Sequence, residues 1–175
     1  MFTAVKTQQV DVLKKIIDSK ADLQMKDTHG SASLLVAAFS NYTASLRLLI
    51  DAKAYLETRD PDGFTPLIAA CRAGHAESVQ LLIDAQANLE STDNEDMTAL
   101  AWACHDGQSK CVQHLLAAKA DIEARETSGM TPLMWAAFLG NQDCLQLLIA
   151  AKANLDAQDN DGMTGLMIAV NDNHP

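Results

Sequence analysis

The side chains of this sequence that could do chemistry are four cysteines and five histidines. Two pairs lie close together in the chain, Cys104-His105 and Cys111-x-x-His114. Thiolates and imidazoles are zinc ligands, but a structural zinc site needs its pairs joined through a tight knuckle. Both pairs fall in helical stretches, and a helix that turns Cys104 inward turns His105 outward. The four groups do not converge, so no metal site is expected. His29 falls in a turn, His75 on a second helix and His174 near the end of the chain. The sequence holds no G-x-S-x-G, no Walker loop, no H-E-x-x-H and no dinucleotide-binding glycine pattern. Carboxylates are numerous, but they sit mainly in turns and outer loops, as solvated groups do. Nothing sets a nucleophile beside a base, so neither an enzyme nor a cofactor is expected.

The elements that must position these groups are short. In Asp60 to Thr92, Asp60-Pro61-Asp62-Gly63 is a turn signal, with Gly63 free to take positive φ. Thr65 is suited to cap a helix, and Pro66 costs nothing in a first turn. Leu67 to Arg72 carry that helix and Gly74 stops it. Ala76 to Ala85 form a second helix with an apolar stripe at Val79, Leu82 and Ile83. Two helices this short are marginal alone, so the stretch needs neighbours.

The neighbours are copies. A shift of 33 residues returns the pattern at Asp27 to Arg59, Asp93 to Arg125 and Glu126 to Gln158. The stripe recurs as Leu46/Leu49/Ile50, Val112/Leu115/Leu116 and Leu145/Leu148/Ile149, and a loop column recurs as Ala54, Ala87, Ala120 and Ala153. A turn–helix–helix unit of this period, with Thr65-Pro66-Leu67, Ala69-Ala70, Gly74-His75, Thr131-Pro132-Leu133 and Ala136-Ala137, resembles the ankyrin repeat. The resemblance spans nearly the whole chain. It implies an all-α solenoid of stacked helix-turn-helix units joined by β-turn or hairpin fingers, in a single domain over 1–175. Residues 1–26 would be an N-terminal cap, and 27–59, 60–92, 93–125 and 126–158 full repeats. Residues 159–175 would be a partial repeat, which suggests a piece of a longer protein; a natural short cap is the alternative.

Departures from the family pattern carry their own expectations. Ala32-Ser33 replaces Thr-Pro and forfeits a hydroxyl cap. Asn41 replaces a glycine between helices, and Asp96 replaces a turn glycine. After each second helix, where the family places glycine, stand Lys20, Lys53, Gln86, Lys119 and Lys152. These five are predicted to have positive φ, strained by roughly 1 kcal/mol each and partly relieved at the lysines by the helix dipole.

The chain is 48% hydrophobic with few aromatics, enough for an Ala/Leu/Ile core. Its net charge of −10 argues against nucleic acid and against an anionic membrane surface. No apolar run is long enough to span a bilayer, and the first residues lack a signal-peptide core. Cys71 and Cys104 share one column, Cys111 and Cys144 another. Column-mates would lie about 10 Å apart, too far for a disulfide. Four reduced core thiols point to a cytoplasmic protein, with the nucleus as a further possibility.

What remains is a surface. The resemblance implies a concave groove, lined by the finger tips and the ends of the first helices, that binds another protein or peptide. A neutral or basic partner complements the acidic chain, and the protein is expected to be a monomer. At the tips the row reads Ser31, Phe64, Met97, Met130 and Met163, taken as solvent-facing. At the first-helix ends it reads Lys6, Phe39, Arg72, His105, Phe138 and Asn171, with Leu139 alongside. Trp102 and Trp135 share a first-helix column, read mainly as packing with ring edges showing in the groove. Asp62, Glu95, Asp106, Asp161 and Asp172 form the expected acidic rim. The candidate contacts are Phe39, Phe64, Arg72, Met97, His105, Met130, Phe138, Leu139 and Met163. Met97→Ala or Met130→Ala is expected to weaken binding without unfolding the stack. Two other readings stand beside a stand-alone adaptor: a regulatory segment of a larger enzyme or membrane protein, and a self-assembling array.

Overall fold

A computed structural model describes residues 1–171; Asp172 and His174 lie outside the described residues. Eleven helices follow one another in pairs among them: α1 Phe2–Lys6 and α2 Val10–Asp18, α3 Ser33–Phe39 and α4 Thr43–Asp51, α5 Pro66–Arg72 and α6 Ala76–Asp84, α7 Ala99–His105 and α8 Ser109–Ala117, α9 Pro132–Phe138 and α10 Gln142–Ala150, then α11 Gly165–Asn171. First helices stack on first helices, from α1 through α3, α5, α7 and α9 to α11. Second helices stack in a parallel row from α2 to α10.

Local chemistry sets each unit. Thr65, Thr98 and Thr131 accept the N–H of Ile68, Ala101 and Met134 and so cap α5, α7 and α9. Ala32 in the same slot gives α3 no side-chain cap, as its lost hydroxyl requires. Gly74 lies at φ +72°, and a Cβ there would meet the Gln108 side chain at 2.2 Å. Position 74 therefore favours glycine for its conformation; the crowding is with the mobile end of the Gln108 side chain, and Asn41 fills the equivalent slot at φ 55°. After the second helices, Lys20, Lys53, Gln86, Lys119 and Lys152 have φ of 60°, 62°, 68°, 67° and 67°. This is the left-handed conformation read from the sequence. It lets the next alanine reach back into the helix, as Ala87 N–H does to the Leu82 carbonyl at 3.0 Å.

The stripes meet in one continuous core. Leu13, Leu46, Leu49, Val79, Leu82, Val112, Leu115 and Leu148 are buried without exposure. Polar bonds repeat at the same stride along the stack. Lys26 Nζ donates to the Arg59 carbonyl at 2.8 Å, Arg59 to that of Thr92 at 2.6 Å, and Arg125 to that of Gln158 at 2.6 Å. Glu57, Glu90 and Glu123 accept the backbone N–H of Asn88, Asp121 and Asn154 in the next unit. All four cysteines are free and buried. Cys71 of α5 and Cys111 of α8, diagonal neighbours rather than column-mates, influence each other's ionisation. Burial pushes the Cys71 and Cys104 thiols up, and Cys144 to about 11. No helix among the described residues is long and apolar enough to cross a membrane.

Candidate protein-binding groove

Each finger begins with a carboxylate that closes its own turn. Asp60 Oδ1 accepts the N–H of Asp62 at 3.1 Å and of Phe64 at 2.9 Å. Asp93 Oδ1 holds Glu95 and Met97 in the same way, and Asp159 Oδ1 holds Asp161 and Met163. Glu126 holds Met130 N–H at 3.0 Å. These bonds fix the backbone of the residue after the turn in each finger.

Met97 is buried at 2% exposure, which corrects its reading as a solvent-facing contact. Met130 and Met163 are half-buried against Met134, Ala157 and Ile168, so they hold adjacent fingers together and are not open tips. Phe64 is half-buried as well, but it packs along the trough between fingers and first helices.

Exposure varies along the first-helix ends. Phe39 is 55% exposed, and Phe138 and Leu139 are each 39% exposed. Arg72 and His105 are half-exposed and joined to rings on both sides. The Arg72 guanidinium lies 4.7 Å from the Phe64 centroid and 4.2 Å from that of Trp102. Phe64 meets Trp102 edge-on at 5.7 Å. His105 lies between Trp102 and Trp135, at 5.1 Å from each. Trp135 meets Phe138 at 6.0 Å. A single ladder of rings and one guanidinium thus runs along the trough through three successive units. Read from the sequence, the tryptophans were mainly packing; their 33-residue spacing was the available signal that they also form the ladder's rungs.

Electrostatics fix the ladder. Trp102 Nε1 donates to Asp93 Oδ2 at 2.7 Å. Asp106, placed on the expected acidic rim, is engaged from within: Arg72 Nε lies 3.7 Å and His105 Nδ1 2.6 Å from its carboxylate. Asp62, Glu95 and Asp161 remain exposed at the finger tips. At the other end, Asp27 Oδ2 lies 3.4 Å from Lys6 Nζ. Burial alone would raise the Asp27 carboxyl, but the N–H groups of Ser31 and His29, with Lys6, outweigh it and hold it below the ordinary value. No group of side chains suited to a metal ion occurs among the described residues.

An open cleft of about 440 Å³ continues the trough toward α1, where the ladder stops. Leu35, Val36, Phe39, Phe64 and Ala69 line it, under Asp27, Asp60 and Asp62. The family model for ankyrin repeats, in three copies, matches residues 34–126 and again 102–175. The chain belongs to the ankyrin-repeat family. Members are generally protein–protein interaction modules and typically non-catalytic. No curated protein matches this chain.

Proposed function

We propose that this ankyrin-repeat chain is a scaffold or adaptor that holds a neutral or basic partner protein or peptide in the trough between its fingers and first helices. The ladder from Arg72 and Phe64 to Phe138 carries the reading. It places aromatic and guanidinium groups, the types that dominate binding energy at interfaces, on one stiff face. Phe39 at one end of the row, and Phe138 with Leu139 at the other, add exposed apolar side chains to that face. Because stacked helices already order these groups, a partner would lose little in ordering them. Asp62, Glu95 and Asp161 favour a basic segment at the rim. The protein acts as a monomer in the reducing cytoplasm; four free, buried thiols support that compartment.

The test is affinity capture with the wild-type chain beside a Phe39→Ser/Phe138→Ser/Leu139→Ser variant, followed by titration of each captured protein. The variant changes exposed side chains only, so circular dichroism should match wild type. Partners of the trough bind it at least about tenfold more weakly. Partners retained at wild-type affinity refute the assignment of the face.

A further inference from the structure

One first-helix column changes character midway along the stack. It reads Val36, Ala69, Trp102, Trp135 at the 33-residue stride. Where the column holds indoles, the trough is filled by the ladder. Where it holds Val36 and Ala69, the trough opens into the cleft of about 440 Å³, within the ~300–1,000 Å³ range of sites that enclose small groups.

The filled units show what the open one lacks. The Trp102 indole touches four groups: Phe64 and Arg72 of the preceding unit, His105 of its own, and the Asp93 carboxylate. Stepping back one repeat, the corresponding residues are Ser31, Phe39, Arg72 and Asp60. All four line the cleft, with Ala69 at its floor. Trp135 repeats the ring contacts, set between His105 and Phe138, but its Nε1 finds no carboxylate. The carboxylate is ready too. Asp60 uses Oδ1 to close its turn, as Asp93 does, but its Oδ2 accepts no bond among the described residues. In the units on either side, the corresponding Oδ2 receives Lys6 Nζ or the Trp102 indole.

We propose that the cleft over Ala69 is a receptor for a tryptophan side chain of the partner. The indole enters between Phe39 and Arg72 and donates its N–H to Asp60 Oδ2, completing the ladder in trans. The inference rests on the trough being the partner-binding face and adds which side chain anchors there. Leucine would fill part of the space but leave the carboxylate without a donor. Arginine would donate, but it would bring a second guanidinium against Arg72.

The test uses the full chain and the peptide acetyl-Ser-Lys-Trp-Lys-Ser-amide, followed by amide chemical shifts. Three further peptides replace its tryptophan with leucine, arginine or benzothienylalanine, the last keeping the indole's shape without the N–H. The tryptophan peptide is expected to shift the amides of Phe39, Ala69 and Arg72. The others bind about tenfold more weakly, the usual consequence of losing a hydrogen bond to a charged group or the ring that makes it. Asp60→Asn keeps the turn acceptor but puts a donor in place of Oδ2, so it should weaken the tryptophan peptide about tenfold. Ala69→Trp should fill the cleft from within, raise the melting temperature and abolish the shifts. If Ala69→Trp does not fold, Asp60→Asn and benzothienylalanine decide the matter. Equal affinity for all four peptides overturns the proposal, as does absence of shifts at those residues with the tryptophan peptide. So does undiminished tryptophan binding to Asp60→Asn. Should the triple trough variant still lose a captured partner while the tryptophan peptide fails, only the anchor is wrong and the trough assignment stands.

Discussion

Replacing Lys53, Gln86 and Lys119 together with glycine should stabilise the stack. These residues sit at φ of 62°, 68° and 67° after α4, α6 and α8. A side chain in this conformation costs roughly 1–2 kcal/mol through crowding of Cβ against the following carbonyl. Glycine removes that cost but gives back about 0.4–1 kcal/mol, because the unfolded chain becomes freer. The two lysines also lose about 0.3 kcal/mol each, their least contribution at a helix C-terminus. The balance is about 0.5 kcal/mol per site. The sites lie one repeat apart with no side-chain bond between them, so the triple variant should gain about 1.5 kcal/mol. Urea unfolding, followed by circular dichroism and tryptophan fluorescence, reads this as a higher midpoint at unchanged slope. Alanine at the same positions keeps the strain and should show no gain. A glycine triple less stable than wild type, or one matched by the alanine triple, would refute the strain reasoning.

Three further outcomes follow from the same geometry. Met97→Ala should behave as a core truncation, costing about 2–5 kcal/mol in denaturant unfolding; an unchanged midpoint would mean the side chain is not buried as described. Trp135 Nε1 is buried with no partner, because Glu126 turns its carboxylate to Ser128 and Met130. Shortening it by Glu126→Asp reproduces the Asp93 arrangement and should raise stability by about 1 kcal/mol, with protection of the indole N–H from exchange in the NMR spectrum as the confirming signal. Asp27 is held below its ordinary carboxylate value of 3.8 in the folded chain. Its contribution is therefore complete above that value and lost as pH falls through the lower folded value. Asp27→Asn should flatten the acid limb of the stability curve below about pH 4 and leave the slope near neutrality unchanged.

Much of the fold was legible because the signals are local. The 3.6-residue stripes, the threonine caps and the left-handed slots each depend on neighbours a few positions away, and a fixed stride then repeats them. The first-helix ends were legible for the same reason, since Phe39, Arg72, His105 and Phe138 share one register. The tips were not. Asp60, Asp93 and Asp159 fix the tip backbones alike, yet Met97 is buried while Phe64 and Met163 are half-buried, so packing between fingers, which residue type alone does not reveal, sets how far each turns in. The diagonal relation of Cys71 to Cys111 escaped a column-by-column reading, because the first helix of one unit lies beside the second helix of the next, as the Cys144 thiol beside the Ala103 carbonyl shows. The cleft was present in the sequence as Val36 and Ala69 preceding Trp102 and Trp135. A small residue in a column becomes a cavity only when the surrounding rings are placed around it.

The central claim is that the ladder face holds the partner. The most direct measurement is the affinity of a purified, captured partner for three proteins: wild type, the Phe39/Phe138/Leu139 serine variant, and a Lys14→Glu/Arg47→Glu control on the exposed side of the second helices. The account predicts at least a tenfold loss, about 1.4 kcal/mol, for the trough variant and none for the control. An unchanged trough variant beside a weakened control would place binding on the opposite face and contradict it.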